Sequence, residues 1–367
     1  MRFAALLLLT LPLVAQRYPE RSLDSQRSKL SIDQQIAAYQ KMVAASPANA
    51  RYQNQLASAY IQKVRESTDF SYLDRASKIV ESVLSRDSGN YEAMRLRSAI
   101  ELEKHQFASV AEYSGELVKL APTDPWNWGT LGDSLMELGQ YEKAGKAYDR
   151  MLALRADQSS YNRAAYHRFV TGDAKAAIEM MQLAIARGSG APENTAWCLV
   201  ELGTMQFKLG HLDDAQHAYE QALAAFPNYH AAFGGLGRVM GARDRIAEAI
   251  RYYTQARAGV PLPDYSAALH ELYKRSGNAA DAKKQLDLID LVDKLDQATG
   301  EKTNRMLALV YANQSRRLDR AMELVQAELK VRQDVYTFDA LAWVLFKMKK
   351  YEQAAEASAK ALPLGTP

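Results

Sequence analysis

A single cysteine in 367 residues leaves no internal disulfide to be made, so packing alone must hold the chain together. Proline and glycine are few, 11 and 19, and the stretches 48–121, 126–191 and 264–362 contain no proline at all. Strands bounded by frequent turns are thereby excluded. Val and Ile are also sparse beside Ala, Leu, Gln, Glu and Lys, a balance that favours helix. Neither sign of charge dominates, because 46 Lys and Arg face 43 Asp and Glu, a formal net charge of +3. That excludes a nucleic-acid footprint. The densest basic cluster, Lys347, Lys349 and Lys350, reads as a solvated helix end. Long apolar runs are missing too, with one exception at the start.

The exception runs from Phe3 to Val14, preceded by Arg2 and followed by Ala15, which is the layout of a secretory signal. It is shorter than the roughly 20 residues that span a bilayer, and Pro12 interrupts it. The expectation is a signal over 1–15, a mobile mature N-terminus over 16–30, export to the periplasm or cell envelope, and no membrane insertion of the mature chain. An uncleaved anchor is the alternative, because Leu13 is larger than the cleavage rule prefers. No cysteine stands at the cut to take a lipid. Cys198 reads as a small apolar residue on a helix.

What the chain does have is a period. Ala76, Val110, Ala144, Ala177, Ala215, Ala249, Ala282, Ala321 and Ala354 mark equivalent points, at steps of 34, 34, 33, 38, 34, 33, 39 and 33 residues. Twelve residues before the later eight stand Ser98, Gly132, Ala165, Gly203, Gly237, His270, Leu309 and Ala342, and most of these are small. A mid-helix glycine costs about 1 kcal/mol against alanine, so Gly132, Gly203 and Gly237 persist only if close packing returns more. The two helices of a unit can then approach to the near end of the usual 8–10 Å range. Larger residues such as Leu131, Tyr148 and Leu152 are left to fill the space between successive units.

The third unit carries Trp128, Leu131, Gly132, Tyr141, Ala144 and Tyr148, with closing prolines at Pro47, Pro122, Pro227 and Pro261 along the chain. It resembles the tetratricopeptide repeat family, a helix–turn–helix of about 34 residues, and the DALAW block at 339–343 is similar to exported bacterial members. The resemblance implies an all-α fold, an α-solenoid coiled as a right-handed superhelix over 31–366. A lone helix at 31–47 would precede nine repeats starting near 50, 91, 125, 158, 196, 230, 263, 302 and 335. Three stretches depart from the lattice: seven added residues at Arg65–Ser71, absorbed by two extra helical turns, and the joints at 186–194 and 295–304. His270 and Leu309 put close helix contact in units seven and eight in doubt.

The family also implies a function, binding of a protein or peptide in the concave groove lined by the first helix of each unit. Carried onto this chain, the groove residues are Trp126, Asp133, Met136, Tyr166, Phe169, Trp197, Phe207, Lys208, Tyr336, Trp343 and Phe346, with Lys347 beside them. Exposed aromatics of this kind bury large area at small entropic cost. The carboxylate clamp of chaperone-tail binders is absent, since its positions hold Asn54, Ser58, Arg95, Ala99, Gly129 and Asp133. A rival reading is a structural subunit of an envelope assembly that docks through the C-terminal repeat face. No catalytic constellation, cofactor or metal is expected: His211, Asp213 and His217 read as a hydrated turn, and FGGLGR at 233–238 lacks the Lys-Ser/Thr ending of a phosphate loop.

Overall fold

A computed structural model describes residues 30–188, 191–299 and 304–367. The signal over 1–15 and the segment 16–29 lie outside them, as do parts of both irregular joints. The described residues form nineteen helices and no strand. Helix α1 (Ile32–Ala45) stands before nine pairs. Units one to three are α2 (Ala50–Ser67) with α3 (Ser71–Arg86), α4 (Tyr91–Glu103) with α5 (Phe107–Leu120), and α6 (Pro125–Glu137) with α7 (Tyr141–Leu154). Units four to six are α8 (Gln158–Val170) with α9 (Ala174–Arg187), α10 (Pro192–Lys208) with α11 (Leu212–Ala225), and α12 (His230–Ala242) with α13 (Ile246–Gly259). Units seven to nine are α14 (Pro263–Arg275) with α15 (Ala279–Thr299), α16 (Arg305–Asn313) with α17 (Leu318–Val331), and α18 (Val335–Lys347) with α19 (Tyr351–Ala361). Most consecutive first helices pack directly on each other, whereas second helices do not pack on each other to that extent. The first helices therefore line the inner, tighter radius of an α-solenoid.

Local chemistry sets the helix ends. Asn49, Asn90, Asp124, Asp157, Asn304 and Asp334 cap first helices through side-chain oxygens, and Pro192 and Pro263 start two others. Inside most units the turn follows one rule: a residue in the left-handed region sits five places before the recurring small residue. These are His105, Gly139, Gly172, Gly210, Asp244, Gly277 and Lys349. The next amide then bonds back five residues, as Gln140 N–H does to Leu135 O at 2.8 Å, which closes the first helix in a Schellman turn. Unit eight is out of register. There Ser315 and Arg317 both take positive φ, and one extra residue stands between the turn and the second helix, which starts at Leu318.

The recurring small residues are buried throughout: Ala76, Val110, Ala144, Ala177, Ala215, Ala249 and Ala321 are 0% exposed, and Ala282 and Ala354 are also buried. The glycines twelve places earlier have a more specific task than helix approach. A Cβ on Gly203 would lie 2.6 Å from Tyr219 Cε1, one on Gly237 2.7 Å from Tyr253 Cδ2, and one on Gly132 would overlap the Tyr148 ring. In each case the tyrosine stands four residues after the recurring alanine. In two other units a larger first-helix residue goes with a second-helix residue smaller than tyrosine, Ala165 with Met181 and His270 with Leu286, whereas Ser98 with Ser114 and Ala342 with Ser358 are small on both sides, and the shifted turn of unit eight puts the buried Ala308 at this point.

Three boundaries differ from expectation. The added residues of unit one do not make two helical turns; α2 runs on to Ser67, and Thr68 breaks it in the left-handed region. Unit five begins at Pro192, four residues ahead of 196, and α15 continues to Thr299, through half of the second joint.

Candidate functional site

The coil comes back on itself. The turn between units eight and nine lies against the turn inside unit three: Gln333 N–H donates to Glu137 O at 2.8 Å, and Val335 N–H donates to Tyr141 Oη at 2.7 Å. Arg332 reaches Glu137 Oε2 at 2.8 Å and covers the Phe107 ring at 5.0 Å. Val335 is buried with Leu135, Met136 and Val170, and Tyr141, Tyr166, Tyr336 and Leu364 close around them. The last residues extend the seam onto unit four, where Thr366 Oγ1 donates to Val170 O at 2.5 Å. Two glycines make this approach possible. A Cβ on Gly139 would run into the Gln333 carbonyl, and one on Gly172 would sit 2.6 Å from the Leu364 carbonyl.

A second contact crosses the coil lower down. Glu193, 1% exposed at the start of α10, accepts from Tyr229 Oη at 3.2 Å and pairs with Arg65 at 3.3 Å. Gln62 reaches it at 3.5 Å. The added turn of α2 supplies Arg65, so the irregularity in unit one lets that helix reach unit five.

These contacts redistribute the expected groove. Met136 and Phe169 are 4% and 3% exposed, so they are seam and core residues and not open groove wall, because unit nine packs over the one and the Ala165–Met205 cluster holds the other. Tyr166 and Tyr336 are half-buried in the same seam. Lys208 is exposed, with its ammonium 5.5 Å from the Phe169 ring and 4.8 Å from the Tyr336 ring. Trp197 packs on the edge of the Phe169 cluster, and Arg238 covers Phe207 at 5.6 Å. Trp126 lies under Arg95 at 4.7 Å. Asp133 is tied down between units, accepting from Arg163 Nε at 2.9 Å and Nη2 at 2.8 Å and from Tyr148 Oη at 3.0 Å.

Unoccupied space remains on the inner face of units seven and eight. A cleft of about 780 Å³ opens between α14 and α16, lined by Ala267, Ala268, Leu286, Met306, Leu309 and Val310 and edged by Asp264, His270, Glu271, Lys274, Asn313, Gln314 and Arg316. It forms where the small residue is replaced, His270 spending its Nδ1 on Ala282 O at 2.8 Å. Asn313 links the cleft to unit nine by accepting from Trp343 Nε1 at 2.8 Å. There Trp343 and Phe346 stack at 5.5 Å and 10°, Tyr351 meets Phe346 edge-on at 5.6 Å, and Lys347 sits 5.0 Å over Trp343. Trp343, Phe346 and Tyr351 are 37%, 48% and 53% exposed, which makes this an aromatic surface facing water.

Electrostatically the inner face is strained at two carboxylates. Burial pushes Glu137 and Glu201 up to about 7, with Arg332 opposing the shift at the first and Arg238 and Lys208 at the second. Burial also pushes the Cys198 thiol up to about 11, which keeps it protonated and unreactive. His211 Nδ1 is 2.8 Å from Gln206 Oε1. Among the described residues no group of three His, Cys, Asp or Glu is placed to share a metal ion, and no helix is long and apolar enough to cross a membrane. The cleft and the seam were the parts that sequence reasoning missed. Gly139 and Gly172 were the available signal for the seam, but Gly210 and Gly277 occupy the same turn position with nothing near them.

Tetratricopeptide repeat family models match residues 127–158, 156–228 and 200–262. No curated protein matches the chain. Among solved structures, the APC/C hetero-tetramer Cut9-Hcn1 is similar at 17% identity and a TM-score of 0.58, over 89% of this chain and 64% of that one. The chain thus spans less than two thirds of that protein, and the likeness is one of fold. PilW, a type IV pilus biogenesis factor, aligns at 16% identity and a TM-score of 0.46 over 54% of this chain and 90% of that one. PilF of Pseudomonas aeruginosa aligns at 14% and 0.48 over 55% and 91%. Scores this low carry no functional argument.

Proposed function

From a solenoid built of tetratricopeptide repeats, a scaffold type that mediates protein–protein interaction, we propose that this chain binds a protein or peptide segment on the inner face of units seven to nine. One observation carries the reading: an apolar-floored cleft of about 780 Å³ runs, through the Asn313–Trp343 hydrogen bond, into an exposed aromatic stack. The wall is preformed, so little ordering entropy is lost on the scaffold side. Rigid aromatic anchors then supply most of the affinity. Trp197, Phe207 and Lys208, accessible in part along the same inner face, extend the surface toward the middle of the array. The scaffold is non-catalytic in this reading, and the signal-like layout of residues 1–15 supports export to the periplasm or cell envelope.

The test is site-specific photocrosslinking at Met306 in intact cells, with and without Trp343→Ala and Phe346→Ala. A captured partner should fall at least fivefold in yield in the double variant while the helical circular dichroism is unchanged. Crosslinking that persists unaltered would rule the aromatic surface out. Fractionation and intact-mass measurement check export and removal of residues 1–15.

A second reading, a structural subunit docking through the last repeat, is favoured by Leu362, which is 68% exposed at the end of α19. It predicts that Leu362→Asp abolishes assembly while the Trp343 and Phe346 variants assemble normally.

A further inference from the structure

We propose that the seam between unit three and the unit eight–nine turn is a latch, which closes the coil over its own inner face and opens without unfolding either side. The proposal goes beyond the binding reading, because closure is a property of the chain with no partner present.

Three features of the seam distinguish it from the interfaces between neighbouring units. Its contacts are local: two hydrogen bonds donated by main-chain amides, Gln333 to Glu137 O and Val335 to Tyr141 Oη, the Arg332–Glu137 pair with Arg332 over the Phe107 ring, Lys208 Nζ 3.4 Å from Tyr336 Oη and Pro367 O, the Thr366–Val170 bond and one apolar cluster. Its charged pair is poorly aligned, and the gap beside it, about 10 Å³ between Met136, Tyr141, Tyr166, Val170 and Tyr336, leaves no room for a bridging water. Glu137 Oε2 and Arg332 Nε are buried there without a well-formed hydrogen bond, although buried polar groups are normally satisfied. Finally, each side is complete without the other. Asp334 caps α18 through the Thr337 amide at 2.6 Å, and the Gly139 turn closes α6 through its own backbone bonds, so separation breaks no helix. A contact held by these links and independent of the helices opens more readily than the helix interiors do.

Opening would bare Met136, Tyr166 and Val170 beside Lys208, an apolar and aromatic wall on units three to five that the chain now covers with its own residues 332–336, Tyr336 among them. The latch therefore holds part of the inner face of units three to five closed with the chain's own residues.

Native-state hydrogen exchange on the full chain tests this, because the amides of Gln333 and Val335 report the seam directly. A latch predicts that both exchange through one opening event, faster than amides in the middle of α7 and α18. Tyr141→Phe, which keeps the ring and removes only the acceptor for Val335, should accelerate both amides on the order of tenfold, as expected for one lost hydrogen bond, and leave the mid-helix amides unchanged. Arg332→Glu should accelerate them further, and adding Glu137→Arg should restore protection. If the two amides exchange only at the rate of the helix interiors, if Tyr141→Phe leaves them unmoved, or if its effect spreads through α7 and α18, the seam is ordinary core and the latch is wrong.

Discussion

Two alanine substitutions, Gly203→Ala in α10 and Gly115→Ala in α5, should move stability in opposite directions. Both remove a mid-helix glycine, a change that by itself gains about 1 kcal/mol. At Gly115 nothing lies within 4 Å of the added Cβ, so that gain stands alone. At Gly203 the Cβ would lie 2.6, 2.9 and 2.9 Å from three atoms of the Tyr219 ring. The ring cannot retreat: it is 0% exposed, it is pinned on its far side by Gly235, and its hydroxyl lies 3.2 Å from Thr204 Oγ1. Overpacking of this kind costs about 1–3 kcal/mol. Against the helix gain, Gly203→Ala should destabilise by about 1 kcal/mol and Gly115→Ala should stabilise by about as much. Urea unfolding at a constant slope reads both as midpoint shifts, and exchange in α10 and α11 localises the first. Stabilisation by both variants would mean that the glycines do not exist to seat the tyrosine rings, and the volume-exchange account of the repeat would fail with them.

Glu137 and Glu201 give a pH prediction. Their folded pKa values, about 7, stand above the 4.5 of the unfolded chain, so their burial penalty is fully present above pH 7 and is relieved as pH falls toward 4.5. Wild type should therefore gain stability relative to Glu137→Gln and Glu201→Gln between pH 7.5 and 5.5, and equal midpoint shifts in all three would refute it. The comparison with the variants matters because burial lowers His167 and His230, which act in the opposite sense below pH 6.5. Arg163→Met should cost about 2 kcal/mol, the worth of a charge-assisted hydrogen bond, because it removes the partner of Asp133 across the unit three–four interface and leaves only the Tyr148 hydroxyl of its own unit. A midpoint shift within error of zero would show that pair to be solvated. The swap of Gly203→Ala with Tyr219→Met, which imitates the Ala165–Met181 pair of unit four, should cost less than the sum of its single changes, and strict additivity would refute the exchange.

Much of the local architecture could be read from the chain. The steps of 33 and 34 residues from Ala144 to Ala177 and from Ala215 to Ala249 locate the repeated helix pairs, and each of those alanines is fully buried. The reason for the glycines was legible only in outline. That a small residue was needed followed from propensity, but that Tyr148, Tyr219 and Tyr253 fill the space required a view of which ring lies over which backbone. Groove residues were the least legible, because the family pattern assigns a side chain to the inner radius without saying what crosses that radius. Met136 and Phe169 have the right register for the groove and are buried all the same. The aromatic stack and the cleft beside it were reachable in part: Trp343 and Phe346 were visible as aromatics, and His270 and Leu309 as departures from the rule, but not that the departure leaves open space.

Sequence alone determined the elements and their nearest neighbours, because helix propensity, capping and volume exchange act over at most about forty residues and repeat with the period. Only the tertiary structure decided how the coil closes. Contacts such as Tyr141 with Val335, 194 residues apart, depend on the small rotation added at each unit interface, summed over six units, and on the few irregular joints that interrupt the sum. No local pattern encodes that total. It is settled where the accumulated twist brings Gly139 and Gly172 against the chain's own last units.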